Sequence, residues 1–208
     1  TPSLADSIIP KIIKQYNELE PEVKFNLINL NSIDLIEDRY KPEIDLTICY
    51  NSKHQSNSIS KILKEGRHKL VSPKSYNLSN DVDLNNISHL PFIEVTNLLS
   101  FYEESSISEY IKNENIEINT IIKTDSYNSA LSLVQSGLGV SILDENTCNK
   151  AYHEQVTISN ILGKEFLYTI HAIKISCIQL YTSNTKKNPK EGNKKDTSLG
   201  CCYMVGPQ

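Results

Sequence analysis

The chain has 208 residues, 38% hydrophobic and 22% charged, close to the globular average and enough for one large domain or two small ones. No apolar run is long enough to cross a membrane as a helix, and five cysteines (Cys49, Cys148, Cys177, Cys201 and Cys202) without Cys-x-x-Cys spacing exclude a disulfide framework and a zinc knuckle. The net charge of −4 is uneven: five lysines fall after Ser183, leaving 16 bases against 23 acids in the first 182 residues, a poor match for a phosphate backbone.

Leu4, Ile8, Ile12, Tyr16 and Leu19 recur at helical spacing and predict a helix over residues 3–20. Ser3 is its expected cap, Asp6 the capping-box partner, and Pro10, which lacks a backbone donor, the cause of a kink in the second turn. Val23, Phe25 and Leu27 alternate with polar residues and predict a strand. A short helix from Ser32 follows, and Ile44-Asp45-Leu46-Thr47-Ile48-Cys49 has the length and character of a buried strand.

The alternation continues through a strand at Lys69-Leu70-Val71-Ser72, a helix over 83–90, a strand at Phe92-Ile93-Glu94-Val95, a helix over 100–112 and a strand over 116–123. Tyr127, Ala130, Leu131 and Val134 then make a helical stripe that Gly137 can terminate in the left-handed conformation, with strands over 140–143 and 166–173 beyond. The pattern predicts α/β architecture with largely parallel sheets. Residues 183–208, rich in Lys, Asn, Thr and Ser, lack an apolar period and are expected to stay disordered.

Catalytic patterns are weak. Gly137-Leu138-Gly139 closes a helix rather than opening one, so it does not read as a phosphate loop. The five histidines have no i, i+4 pairing and read as solvated or singly hydrogen-bonded. No Gly-x-Ser-x-Gly elbow is present, and Cys49 falls in a buried strand. The sequence therefore predicts neither catalysis nor a bound metal or cofactor. The lysines of the tail lack interleaved aromatics and read as a solubilising segment. A positive signal comes from the predicted helix starts at Ser3, Ser32 and Asp125-Ser126: where such starts converge, free N–H groups and hydroxyls suit a small polar or anionic ligand.

Several runs resemble the effector-binding domain of LysR-type transcriptional regulators over roughly residues 1–174: Thr1-Pro2-Ser3-Leu4 with Ile8-Ile9-Pro10, the strand Ile44-Asp45-Leu46-Thr47-Ile48, Leu70-Val71-Ser72-Pro73-Lys74, Leu90-Pro91-Phe92-Ile93, and the run Leu133-Val134-Gln135-Ser136-Gly137-Leu138-Gly139-Val140. The resemblance implies a periplasmic-binding-protein-like (type 2) fold. Subdomain I would comprise 1–72 plus 170–182 and subdomain II 73–169, with an effector in the cleft between them. It implies effector-binding roles for Ser3, Asn31, Ser32, Tyr50, Thr96, Asp125 and Ser126, and a hinge at Val71, Ser72, Pro73, Tyr168, Thr169 and Ile170. Tyr50 departs from the pattern in its bulk, which would narrow the cleft.

The resemblance further implies a cytoplasmic homodimer or higher homo-oligomer, no membrane contact, and DNA contact only through a helix-turn-helix domain not contained in these residues. The family's first strand and closing helix are also missing from the sequence, the latter replaced by residues 175–181 and the lysine-rich tail. The competing reading is an exported solute-binding protein of the same fold.

Overall fold

The computed structural model describes residues 2–30, 44–50, 58–96, 107–175 and 202–207; Asn31, Ser32 and the helix expected after them lie outside the described residues. At the start, the proline does more than kink the predicted helix. The chain forms two helices, α1 (Pro2–Ser7) and α2 (Ile9–Leu19), separated at Ile8. Pro10 stands in the first turn of α2, where a missing N–H costs nothing because that donor would be unpaired in any case. Leu4 and Ile9 are fully buried from this pair, with Ile8, Ile12 and Ile13 partly so.

The first subdomain's sheet contains β1 (Phe25–Leu30), β2 (Leu46–Tyr50), the lower half of β3 (Ser58–Pro73), β9 (Leu167–Ile175) and β10 (Cys202–Pro207). Its order is β1-β10-β2-β9-β3, with β10 parallel to both neighbours and β9 antiparallel to both of its own. The tail expected to be disordered is thus corrected over Cys202–Pro207. Its short run Tyr203-Met204-Val205 is apolar and follows the lysines closely, the one local signal that a strand was there. Six paired positions with β1 give this strand an alternative to solvation, and with its pairing to β2 they keep the sheet continuous.

The second subdomain contains the upper half of β3, β4 (Asp81–Val82), β5 (Pro91–Val95), α3 (Ile107–Asn113), β6 (Asn119–Thr124), α4 (Tyr127–Gln135), β7 (Ser141–Asp144), α5 (Glu145–Cys148) and β8 (Val156–Ile161). β3 pairs antiparallel with β7 and β8, β8 parallel with β4, and β5 parallel with β6, with one parallel bridge from Phe92 to Val140. The sheets are mixed rather than largely parallel, because the long β3 runs against all three of its neighbours. The helix expected over 83–90 shrinks to a 3-10 turn, Leu84–Ile87, capped by the Asp83 carboxylate. Gly137 has φ of +81° and receives the chain after α4 as expected. Gly139 is required for close approach, since a Cβ there would lie 2.4 Å from the Pro91 carbonyl oxygen.

Apolar side chains collect in separate places. Leu4, Ile9, Ile48, Tyr50, Tyr168 and Ile170 form the core of the first subdomain. Two clusters, one around Val71, Ile93, Val134 and Leu143 and one around Leu70, Leu84, Phe92 and Ile142, lie on opposite faces of the second sheet. Adjacent Leu70 and Val71 serve different clusters, as the two-residue period of a strand demands.

The strand pairing also relocates the crossing between subdomains. On β3, Arg67 is the last residue paired with β9, and His68 is the first paired with β7. Val71, Ser72 and Pro73, expected at the hinge, pair with β8 deep in the second sheet. Tyr168, Thr169 and Ile170 pair with Gly66, Glu65 and Lys64 inside the first sheet, so the change of partner falls at Arg67–His68 and just before Leu167. The physical reason is the length of β3: sixteen residues in one strand carry it through both sheets, so an apolar run within it marks a core and not a joint.

Candidate functional site

At the seam between the subdomains the side chains of α1, β2, β7, α4 and both crossing strands meet. Tyr50, at the end of β2 and 6% exposed, donates from its hydroxyl to Oδ1 of Asp144 at the end of β7, 3.1 Å away. Having used its only proton, that hydroxyl accepts from Ser3 Oγ at 3.2 Å. Asp144 is fully buried and caps α5, accepting from the backbone N–H groups of Asn146 and Thr147 and from the Thr147 hydroxyl. Asn146 in turn donates from Nδ2 to Tyr168 Oη at 3.0 Å. Ser3 is therefore not a helix cap: it lies within α1, fully buried, with its hydroxyl turned to Tyr50.

Aromatic rings enclose this chain of hydrogen bonds. Tyr50 meets Tyr168 edge-to-face at 5.2 Å and Tyr127 at 6.4 Å, and His68 meets Tyr168 at 5.2 Å. The Phe166 carbonyl can only accept, so His68 Nδ1 carries the proton in their 3.2 Å contact, and neutral Nε2 accepts from Tyr127 Oη at 3.2 Å. Burial holds the His68 imidazole below its ordinary pKa, with the Asp144 charge opposing. Burial and the Asp144 carboxylate push the Tyr50 and Tyr168 phenols upward, so both stay protonated donors. The expectation of singly bonded histidines is corrected at His68, and at His171, whose two nitrogens contact Ser60 and Thr169.

The remaining predicted residues gather at the start of α4. Ser126 Oγ caps that helix by accepting from Ser129 N at 3.3 Å, while its own N–H donates to Thr124 Oγ1 at 3.2 Å. Thr96 bonds the Thr124 carbonyl from both its N–H, at 2.7 Å, and its hydroxyl, at 3.3 Å. Thr96 and Asp125 are exposed and Ser126 is half-buried. The fold thus brings Ser3 and Tyr50 together, places Thr96, Asp125 and Ser126 around Thr124, and links the two groups through Tyr127 against Tyr50. Asp144, His68, Asn146 and Tyr127 were missed by sequence reasoning. The first three carry no motif, and Tyr127 read as part of an apolar stripe.

Cys148 is buried beneath this cluster, and burial with the neighbouring carboxylates pushes its thiol up to about 12, far from a thiolate nucleophile. Among the described residues no group of three or more His, Cys, Asp or Glu is placed to hold a metal ion, and no helix is long and apolar enough to cross a membrane. A second depression, about 350 Å³, opens where β8 turns towards β9. Arg67 pairs there with Glu165 at 2.5 Å, Lys69 bonds Asn160, and Lys164 lies 5.2 Å from the Tyr110 ring centroid.

Residues 1–173 match the LysR substrate binding domain family. The chain belongs to that family and has its type 2 periplasmic-binding-protein-like fold. The structure is similar to that of CbnR, a LysR family transcriptional regulator, with TM-score 0.64 and 12% identity, covering 85% of this chain and 62% of that one. It is similar to the regulatory domain of Synechocystis PCC6803 CcmR in complex with 2-PG, with TM-score 0.66, 14% identity and 86% of each chain covered. The effector binding domain of QuiR in complex with shikimate gives TM-score 0.62, 14% identity and 84% of each chain. The chain thus spans about 60% of the length of CbnR, for which one matching structure is of the full-length protein on its target DNA. No curated protein matches it in sequence.

Proposed function

We propose that this chain senses a small polar effector for a LysR-type transcriptional regulator. The effector is received in the cleft between the subdomains by Ser3, Tyr50, Thr96, Asp125 and Ser126, with Asn31 and Ser32 as further contacts. The observation that carries this reading is the meeting of side chains from both subdomains at one seam, with Tyr50 spanning it to Asp144. A ligand that favours one placement of the subdomains shifts their population by its differential affinity, which is what a regulator needs from such a seam. The effector complexes of CcmR and QuiR, relatives in fold, support a small oxygen-rich molecule. In this reading the chain is non-catalytic, works in the cytoplasm as a homodimer or higher homo-oligomer, and reaches DNA only through a helix-turn-helix domain on the same polypeptide.

The test is a thermal-shift screen of the chain against small hydroxy and keto acids, 2-PG and shikimate among them, followed by calorimetry on variants. Ser126→Ala and Ser3→Ala should each weaken binding by about 1–3 kcal/mol by leaving a buried ligand group unpaired. Unchanged affinity in both would move the effector elsewhere, and conversion of the bound molecule on long incubation would make the chain an enzyme.

A further inference from the structure

On another part of the seam lies a groove of about 550 Å³ that none of Ser3, Tyr50, Thr96, Asp125 and Ser126 lines, although it shares Asn146 with the hydrogen-bond chain described above. One wall is α1 and the start of α2, another is α5 with the residues after it, and the floor is β3 just below the crossing. Three ammonium groups enter it from three separate elements: Lys11 from α2, Lys64 from β3 and Lys150 from beyond α5. Ile8, Ile12 and Leu63 supply apolar surface beside them.

The strand is irregular where it forms the floor. Successive residues of a strand point to opposite faces, so Leu63 and Lys64 should not line one cavity. The pairing of β3 with β9 slips between Ile62 and Lys64, a bulge that leaves Leu63 out of register and turns both side chains towards the groove. Bulges are a recurring means of re-aiming a side chain at a site. Leu63 is 40% exposed there.

The charges do not cancel. Among the described residues lining the groove, Asp6 is the only acid, and it lies 3.8 Å from Lys150 while accepting from Asn128 Nδ2 at 2.7 Å. Lys64 is held by a neutral partner, Asn146 Oδ1, at 2.7 Å, which orients the ammonium without neutralising it. Three cations against one carboxylate, on apolar ground, form a surface for an anion with a hydrocarbon part.

We propose that this groove is a second ligand site, taking a small organic carboxylate whose anionic end lies between Lys11 and Lys64 and whose hydrocarbon end lies on Ile8, Ile12 and Leu63. The occupant touches the first subdomain through α2, the second through Lys150, and the crossing strand through Lys64, so it bears on the same relative placement as an effector in the cleft. The site stands apart from the effector contacts proposed above, because none of Ser3, Tyr50, Thr96, Asp125 and Ser126 lines it, while Asn146 joins the two by holding Lys64 here and Tyr168 at the seam.

The probe is hexanoate, titrated into the full chain with methyl groups of Ile and Leu isotopically labelled for NMR. Hexanoate should shift the Ile8, Ile12 and Leu63 methyl resonances saturably. Lys64→Gln and Lys11→Gln should each weaken the apparent affinity by about fivefold, as expected for loss of one partly exposed charge contact, and added salt should weaken it further. Lys11 is exposed, so its replacement by Gln does not disturb the fold. Hexanol shifting the same methyls as tightly as hexanoate would remove the anion from the proposal. Inorganic phosphate binding as tightly as hexanoate would remove its hydrocarbon, and shifts that neither saturate nor centre on these three residues would overturn the site. Ser126→Ala should leave hexanoate binding unchanged, which separates failure here from failure of the effector cleft.

Discussion

The Tyr50 hydroxyl donates to the Asp144 carboxylate across the seam, 3.1 Å apart in space and 94 positions apart in sequence. This bond ties the end of a first-subdomain strand to the capping residue of a second-subdomain helix. Replacing it leaves the ring in place and removes only the tie. Tyr50→Phe should therefore lower unfolding free energy by about 1–2 kcal/mol, since Asp144 keeps its backbone donors while Ser3 loses its acceptor. Urea denaturation of the two proteins measures it, and coincident curves would mean that the bond contributes nothing to stability.

His68 gives the fold a pH dependence of known sign. Its folded-state pKa is lowered from the ordinary 6.5, so below that value the unfolded chain binds a proton that the folded chain resists. This contribution is fully present above pH 6.5 and is lost as pH falls from there towards the depressed folded value. The slope is at most about 1.4 kcal/mol per pH unit. His68→Gln, which can still donate to the Phe166 carbonyl, should flatten the difference in stability between pH 7 and pH 5. Equal pH dependence in both proteins would place the imidazole in water.

Gly66 lies under the Tyr168 ring. A Cβ at Gly66 would come within 2.4 Å of Tyr168 Cζ and Oη, and the ring has no free way out: it is 2% exposed, bonded to Asn146 and packed edge-on by Tyr50 and His68. Gly66→Ala should cost about 1–3 kcal/mol as overpacking. Thermal unfolding reads this directly, and a gain in stability would show that the ring shifts freely.

Deleting residues 201–208 removes β10 from between β1 and β2. Since β1 pairs with no other strand among the described residues, its backbone groups lose these partners. The melting temperature should fall by roughly 5 °C or more, the shift that a loss of 2 kcal/mol produces in a chain of this length. Hydrogen exchange at residues 25–30 should accelerate in the same variant. Unchanged exchange there would mean that β1 does not depend on this strand.

Much of the fold was legible in the residues because it is local. The helical stripe of α4, the left-handed Gly137 after it and the break near Pro10 each depend on neighbours a turn or two away, and the family resemblance rested on the order and spacing of several short runs, Leu133 to Val140 among them. Ser3 and Tyr50, both named from the sequence, lie in hydrogen-bond contact at the seam, but Ser3 does not play the capping role by which it was picked out.

What only the tertiary structure decided are the long-range choices. A two-residue period says that a segment is a strand but not which strand it pairs with, so the change of partner at Arg67–His68 and the insertion of β10 were invisible in sequence. An isolated Asp before Glu145 looks like any helix cap. Only when β7 is laid against His68 and β2 ends beside it does its carboxylate become the buried acceptor that joins the subdomains. The sequence by itself determined the elements and their family; packing determined their partners, because hydrogen-bond and charge complementarity are satisfied in space, between residues that the chain keeps far apart.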